Sequence, residues 1–211
     1  MTVVLLVLIA LISYLLGGVN GAIISSKFFW KKDIRNYGSG NAGLTNFFRT
    51  FGVVGMLLVV AIDVLKSVAA VHVGSALMGI QDEPMVGELF AGFCLMLGHV
   101  YPVFFQFRGG KAVMCLGIIS LIVDWRVGVI CWLIFALVVI FTKYVSLGSI
   151  VGAVFFPVCI WAFGHTGLEA TLSLICSLLV LVKHRENIIR LIRGKESKLN
   201  IGKKTEPGID D

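Results

Sequence analysis

Long apolar runs recur from one end of the chain to the other and constrain the fold more than any other feature. The first, Thr2 to Ile23, would be about 33 Å long as a helix, enough to cross a hydrocarbon core of roughly 30 Å. Charged residues make up only 14% of the chain, and water-soluble domains do not carry so many such runs. The sequence therefore predicts an all-α integral membrane protein. A cleavable signal peptide is the alternative for the first run, and the missing basic segment and cleavage site disfavour it.

Seven apolar segments follow one another with short links. They lie near residues 2–24, 51–72, 85–106, 112–123, 127–142, 147–163 and 167–183. We expect a polytopic bundle of about seven transmembrane helices in one domain over residues 1–202, followed by a flexible cytoplasmic tail over residues 203–211. The segment 112–123 would reach only about 18 Å as a helix, so it is either a short helix or a re-entrant one.

Lysine and arginine residues collect in alternate links between these segments. Sixteen of the 18 lie there: five in the loop 25–50, then Arg108 and Lys111, then Lys143, then eight from Lys183 to Lys204. The intervening links carry mainly acidic charge, with Arg126 as their single basic residue. Because cytoplasmic links of membrane proteins are rich in Lys and Arg, we expect the N-terminus outside and the C-terminus in the cytoplasm. The net charge of +6 is therefore explained by topology, and no nucleic-acid partner is expected.

Polar, glycine-rich segments all fall on the predicted cytoplasmic side. They cover Gly38–Arg49, Gly98–Val113, Lys143–Ser149 and His184–Lys198. Two glycines before Lys111, at the start of a new helix, are typical of an anion site built from backbone N–H groups and a lysine. The four segments together offer cations, flexible backbone and neutral hydrogen-bonding groups, which suits a ligand with phosphate and hydroxyl groups.

Several kinds of catalytic site are missing from the sequence. It has no Gly-x-Ser-x-Gly elbow, and none of the four histidines is followed by an aspartate five residues later. The five cysteines are unclustered, and the acidic residues near the basic loops, Asp33, Glu186 and Glu196, do not have the spacing of a metal site. We therefore expect chemistry without a protein nucleophile, a metal or a cofactor.

Asp63 and Lys66 are unusual because they lie within the second apolar segment. Their spacing of three residues puts them on one face of a helix, where they could pair inside the bundle. A structural ion pair and a role near the functional site both stay open.

Three of the polar segments together resemble signature motifs of a known enzyme family. They read SGNAGLTNFFRTFG from Ser39, GHVYPVFFQFRGGKAV from Gly98 and HRENIIRLIRGKESK from His184, and IDVLKS and YVSLGS extend the likeness. The family is that of the bacterial acyl-phosphate:glycerol-3-phosphate acyltransferases (PlsY). The resemblance implies a multi-pass enzyme of the bacterial inner membrane whose active site faces the cytoplasm. It would transfer a fatty acyl group from acyl phosphate to the 1-hydroxyl of glycerol-3-phosphate, giving lysophosphatidic acid and phosphate for phospholipid synthesis.

The resemblance also implies site residues. Gly109, Gly110 and Lys111 would hold the donor phosphate. The first motif would bind glycerol-3-phosphate and shape the pocket through Ser39, Gly40, Asn41, Thr45, Asn46 and Arg49. Ser146, His184, Asn187 and Arg190 would complete the site. The expected catalytic set is Ser39, Arg49, Lys111, Ser146, His184 and Asn187; for His184, substrate binding or a structural hydrogen bond is favoured over general-base catalysis. His99 is expected to support the loop.

The second motif departs from the family pattern. The family continues Gly-Gly-Lys-Gly-Val-Ala-Thr, whereas this chain has Ala112 and Cys115 at the fourth and seventh positions. Alanine restricts a backbone that glycine would leave free. Two alternatives to the enzyme are a transporter of an organic phosphate and an inactive membrane paralogue. The oligomeric state is not predicted, and a monomer is compatible with the sequence.

Overall fold

The apolar sequence folds into a bundle of α-helices, as a computed structural model shows for residues 1–199. The helices are α1 (Thr2–Gly18), α2 (Gly21–Trp30), α3 (Leu44–Phe51), α4 (Met56–Gly79), α5 (Pro84–Val100), α6 (Val113–Val123), α7 (Trp125–Thr142), α8 (Val145–Ala162), α9 (Gly167–Lys183) and α10 (Arg185–Ile192). Two 3-10 turns cover Ile34–Asn36 and Val103–Phe105. The predicted tail, 203–211, and the last residues of the predicted domain lie outside the described residues.

Five helical stretches in residues 1–199 are long and apolar enough to cross a membrane: Thr2–Trp30, Met56–Gly79, Pro84–Phe105, Trp125–Thr142 and Val145–Ala162. Helices α9 and α10, bent by 59° at their junction, form a sixth if they are counted as one span. Helix α6 has only 11 residues. The predicted all-α membrane architecture is confirmed, and each of the seven predicted segments contains a helix.

The helix boundaries differ from the prediction in the first half of the chain. The first segment is broken between Gly18 and Gly21, where the Asn20 side chain accepts a hydrogen bond from the Ile23 amide over 3.0 Å and starts a second helix. The predicted segment 51–72 begins later, at Met56, because Gly52 and Gly55 have φ of 74° and 76° and interrupt the helix. This shift leaves α3 as a separate short helix.

Small residues let the helices approach closely. A Cβ atom on Gly17 of α1 would lie 3.0 Å from the Gly98 Cα on α5, and it would overlap the Leu95 carbonyl. Gly74 of α4 and Gly87 of α5 face each other in the same way. Helices in a bilayer associate through such close backbone packing because lipid provides little hydrophobic drive. These contacts bring α1, α4 and α5 together beneath the polar loops.

Candidate active site

A cavity of about 330 Å³ opens among the polar loops and extends between α6, α7 and α8. Its polar end is lined by Ser39, Asn41, Thr45, Asn46, Arg49, Lys111, Ser146, His184, Asn187 and Arg190. A smaller adjoining pocket adds Gly40 and Gly109. The structure thus brings together all the sequence-predicted site residues except Gly110, which lines neither pocket. Four segments distant in the sequence meet at one end of the bundle.

Asn46 organises the first polar loop from within. Its Nδ2 donates to the carbonyls of Tyr37 and Asn41, each over 3.0 Å, and more distantly to that of Ile34. Its Oδ1 accepts from the Ser39 amide over 2.9 Å. Asn46 is only 4% exposed, and its side-chain amide forms its hydrogen bonds with the backbone of the loop. Asn46 shapes the pocket and has little capacity left to bind a ligand.

The Gly109–Gly110 turn has a different role from the one its sequence indicates. The Gly109 amide donates to the Val100 carbonyl over 3.2 Å, and the Gly110 amide donates to the His99 carbonyl over 3.1 Å. The expectation of two free N–H groups for an anion is therefore wrong, because the turn uses both amides to bind the end of α5. A Cβ atom at Gly110 would clash with the His99 ring and lie 2.6 Å from the Ala42 carbonyl. Close packing of three segments explains the glycine there.

Ala112 adopts a left-handed conformation, with φ of 58° and ψ of 21°, at the position where the family motif has glycine. The residue is buried, 1% exposed, and lies directly before α6 begins. Left-handed backbone is costly for a residue with a Cβ atom. The departure in the second motif therefore keeps the loop conformation that glycine would favour.

Lys111 is the cation at the centre of the polar end. Its Nζ donates to Oδ1 of Asn187 on α10. Burial, reinforced by the nearby charge of Arg190, lowers the pKa of Lys111 to about 8. A buried ammonium group that is costly to desolvate gains most from a bound anion, so Lys111 is suited to holding phosphate.

The segment 194–199 closes over the site and contributes the carboxylate of Glu196, which was not predicted to be a site residue. Glu196 accepts hydrogen bonds from Ser146 Oγ at 2.8 Å, Asn187 Nδ2 at 2.7 Å and Arg190 Nε at 2.8 Å. Burial alone would raise the pKa of Glu196, but these hydrogen bonds outweigh it and hold the pKa below its usual value. The sequence feature that could have identified Glu196 is its position near the end of the third motif, beside three cationic residues.

Two backbone contacts fix the segment 194–199 on the site. Arg49 Nη2 donates to the Ser197 carbonyl over 3.2 Å, and the Leu199 amide donates to the Lys143 carbonyl over 2.7 Å. The segment therefore links the first motif to the start of α8.

His184 lies at the junction of α9 and α10 and is 3% exposed. Its Nδ1 donates to the Val180 carbonyl over 2.8 Å, since a carbonyl oxygen can only accept. The neutral ring then carries an unprotonated Nε2. This geometry provides the expected structural hydrogen bond and leaves Nε2 as an acceptor for a donor in the cavity.

The second end of the cavity is apolar and runs along α6, α7 and α8. Its lining includes Val113, Met114, Leu116, Gly117, Cys131, Trp132, Phe135, Gly148, Gly152, Ala153 and Phe156. Trp132 lies across Gly117 and donates from Nε1 to its carbonyl over 3.0 Å. This apolar arm, as we call it, was not predicted, because glycines and aromatic residues on three helices give no local sequence signal for a shared groove. One cavity thus joins a cationic end to an apolar one.

The Asp63–Lys66 pair of α4 lies close to the site. Lys66 Nζ is 2.8 Å from Asp63 Oδ1, both side chains are buried, and Asp63 lines the cavity. The two interpretations left open by the sequence are therefore compatible, since the ion pair is part of the bundle interior and also adjoins the site.

The chain is similar to known proteins over most of its length. The model of the glycerol-3-phosphate acyltransferase family matches residues 7–194. The glycerol-3-phosphate acyltransferase of Thermoanaerobacter pseudethanolicus is 45% identical over 200 residues, covering 95% of this chain and 98% of the relative. The enzyme of the same name from Staphylococcus aureus strain Newman is 37% identical, covering 92% and 98%.

Two solved structures are similar over most of the chain. Crystal structures of PlsY (YgiH), an integral membrane glycerol 3-phosphate acyltransferase, were solved in a glycerol 3-phosphate form and a lysophosphatidic acid form. The first matches with a TM-score of 0.83 at 29% identity, covering 92% of this chain and 96% of that one. The second matches with a TM-score of 0.81 at 28% identity, covering 92% and 95%.

Proposed function

The chain belongs to the glycerol-3-phosphate acyltransferase family, and from that premise we propose that its acyl donor is an acyl phosphate. It is an integral membrane acyltransferase that acts on glycerol-3-phosphate, and the product is lysophosphatidic acid. The other product of the proposed reaction is inorganic phosphate.

One observation carries the proposal: the cationic end and the apolar arm belong to the same cavity. An acyl phosphate has a fatty chain on one side of its reactive carbonyl and a dianionic group on the other. The chain would lie between α6, α7 and α8, and the phosphate would lie near Lys111. Glycerol-3-phosphate would enter beside the first motif, where Arg49 supplies positive charge. Lys111 and Arg49 line the same cavity, and their combined positive charge attracts phosphate.

The proposed reaction is a direct attack without an acyl-enzyme. The 1-hydroxyl oxygen of glycerol-3-phosphate attacks the acyl carbonyl carbon, and the bond from that carbon to the phosphate oxygen breaks. The hydroxyl proton passes to the departing phosphate, whose oxygens are the nearest strong acceptors. The protein would position the two substrates and stabilise the developing charge, mainly through Lys111, Arg49 and Arg190. No cofactor or metal takes part in this balance.

Three neutral groups would orient the substrates. Ser146 and Asn187 are held by Glu196 in the structure, and Asn187 also contacts Lys111. His184 would accept a hydrogen bond from a substrate hydroxyl through Nε2. Ser39, Asn41 and Thr45 line the side of the cavity proposed for glycerol-3-phosphate.

The proposed orientation places this site at the cytoplasmic face of the bacterial inner membrane. The site-forming loops are the links that hold most of the basic residues, which supports a cytoplasmic location. Acyl phosphate could then reach the apolar arm from the bilayer, while glycerol-3-phosphate would come from the aqueous side.

Purified protein supplied with an acyl phosphate and glycerol-3-phosphate tests the proposal. We expect lysophosphatidic acid and inorganic phosphate in equal amounts, and no product when acyl-CoA or acyl carrier protein thioesters replace acyl phosphate. Product from thioesters alone would refute the donor assignment, and no product from any donor would refute the activity.

Two variants test the anion contacts in the same assay. Arg49→Ala and Lys111→Ala should each lose most activity while remaining inserted and folded, because each removes a cation from the cavity. Arg126→Ala is the control, since Arg126 pairs with Asp124 at the start of α7 and does not line the cavity. Near-normal turnover of either site variant would show that the phosphate contacts are elsewhere.

A further inference from the structure

A cluster of buried polar side chains lies behind the Gly109–Gly110 turn. Asp63 Oδ1 and Lys66 Nζ, both on α4, are 2.8 Å apart, and their side chains are 4% and 3% exposed. Lys66 Nζ also lies 2.8 Å from Nδ1 of His99 on α5. Charged groups within a membrane bundle are expensive to bury, so they are expected where they serve a function.

The contacts of Lys66 determine the tautomer of His99. An ammonium group carries only donors, so Nδ1 of His99 must accept the hydrogen bond from Lys66. Lys66 also donates to the Val19 carbonyl over 2.9 Å and forms an ion pair with Asp63. A protonated imidazole would direct an N–H at the ammonium group. His99 is therefore neutral, with its ring proton on Nε2.

The Nε2 edge of His99 faces Gly110. A Cβ atom at Gly110 would clash with Nε2, and His99 lines the same cavity as Lys111. Within residues 1–199, Nε2 of His99 has no hydrogen-bond partner. It is not among the fully buried polar atoms that lack a partner, which are the hydroxyls of Ser13 and Ser25. Nε2 is therefore not fully buried and keeps access to the cavity. The result is an N–H donor on the cavity lining that has no acceptor among residues 1–199.

We propose that His99 contacts a substrate phosphate through Nε2–H, and that Asp63 and Lys66 are positioning residues that hold this tautomer. The inference rests on the proposed phosphate chemistry of the cavity and adds a donor to it. It also gives a reason for the glycine at position 110: a side chain there would displace the imidazole edge. Because two substrates carry phosphate, the inference concerns the phosphate group, and the kinetics below identify which substrate provides it.

A matched pair of variants separates binding from support of the loop. His99→Asn places its amide where Nδ1 lies, so it keeps a partner for Lys66 and loses the donor beside Gly110. His99→Gln reaches the position of Nε2 and keeps that donor. We expect His99→Asn to raise the KM for one phosphate substrate by about tenfold or more, since a hydrogen bond to a charged group is lost, and His99→Gln to raise it several-fold less. A merely structural role predicts the reverse order.

The kinetics identify the substrate and control for misfolding. KM is measured for glycerol-3-phosphate at saturating acyl phosphate, and then for acyl phosphate at saturating glycerol-3-phosphate. Inhibition by inorganic phosphate should weaken in parallel if the donor phosphate is the one contacted. His72→Gln on the exposed face of α4 is the control and should leave both constants unchanged. Equal constants for His99→Asn and the wild type would overturn the inference, whereas an inactive wild type would overturn the proposed function.

The tautomer can be tested without relying on a variant's activity. The ¹⁵N NMR spectrum of histidine-labelled wild-type protein should show His99 with a protonated Nε2 and an unprotonated Nδ1, assigned by its loss in His99→Gln. In the double variant Asp63→Asn/Lys66→Met, which leaves no lone buried charge, this tautomer should lose its dominance and KM should rise. Lys66→Arg should retain the tautomer, because arginine also only donates. A wild-type His99 protonated on Nδ1 would refute the inference, even if the double variant failed to fold.

Discussion

Arg190 Nε donates to the Glu196 carboxylate over 2.8 Å, and this contact links a predicted substrate-binding cation to a segment beyond the last helix. Glu196 holds Ser146 and Asn187 as well, so one carboxylate fixes three site residues on two helices. The segment 194–199 is therefore part of the candidate active site.

Glu196→Ala should lower kcat/KM by tenfold or more and reduce the melting temperature, because it removes charge-assisted hydrogen bonds to three site residues. Steady-state kinetics and thermal unfolding in detergent would measure both effects. Glu186→Ala is the matched control: Glu186 is 72% exposed and lies 4.0 Å from the same arginine. A loss of activity as large for Glu186→Ala would contradict the role given to Glu196.

Activity should depend on pH through Lys111. Burial and the Arg190 charge lower its pKa to about 8, so raising the pH above 8 removes a positive charge from the cavity, and the KM for the phosphate it holds should rise. Lys111→Arg should lack this inflection, because arginine stays charged. The same inflection in Lys111→Arg would assign it to another group.

Through Lys111, a rise in pH should increase the stability of the protein although it weakens phosphate binding. Its pKa in the folded protein is below its unfolded value, so the unfolded chain binds more protons between about pH 8 and the unfolded pKa of 10.5. The contribution of Lys111 to the free energy of unfolding should therefore increase as the pH rises through that window. Comparison of the wild type with Lys111→Met by denaturation at several pH values would isolate this contribution.

Because Ala112 has a left-handed backbone, glycine should be tolerated there better than valine. Ala112→Gly relieves about 1 to 2 kcal/mol of backbone strain but loses a buried methyl group and chain stiffness worth a similar amount, so stability should change by less than about 1 kcal/mol. Ala112→Val should be strongly destabilising, because a β-branched residue fits poorly at φ of 58°. At Ala136, inside α7, the order should reverse: Ala136→Gly should be more destabilising than Ala136→Val. Thermal unfolding of the four variants checks the order.

The apolar arm should set the acyl-chain preference. A Cβ atom at Gly152 would meet only ordinary contacts, with the Cys131 carbonyl 3.5 Å away, so a larger side chain there should fit and narrow the arm. We expect Gly152→Leu to favour shorter chains over longer ones in competition assays. Gly148→Ala is the contrast, because its Cβ would lie 2.7 Å from Val139 and should lower stability more than it changes preference. An unchanged chain preference in Gly152→Leu would place the acyl chain elsewhere.

Much of the site was predictable because its chemistry is concentrated in short polar segments. Lys111, Arg49 and Arg190 stand out in a chain with 14% charged residues, and the structure lines one cavity with all three. The hydrogen bonds of the loops were not predictable in the same way. The Gly109 and Gly110 amides bind α5, and the Asn46 amide binds its own loop, because partners for backbone groups depend on which segments meet.

The amino-acid sequence by itself determined the membrane-embedded helical architecture, since apolar runs of this length satisfy their backbone only as helices in lipid. It also determined where cationic and polar groups concentrate along the chain. Only the tertiary structure decided that Glu196 returns to the site, that three helices share an apolar arm and that Lys66 contacts His99. These relationships join residues far apart in sequence, and they exist only because helix packing brings those residues into contact.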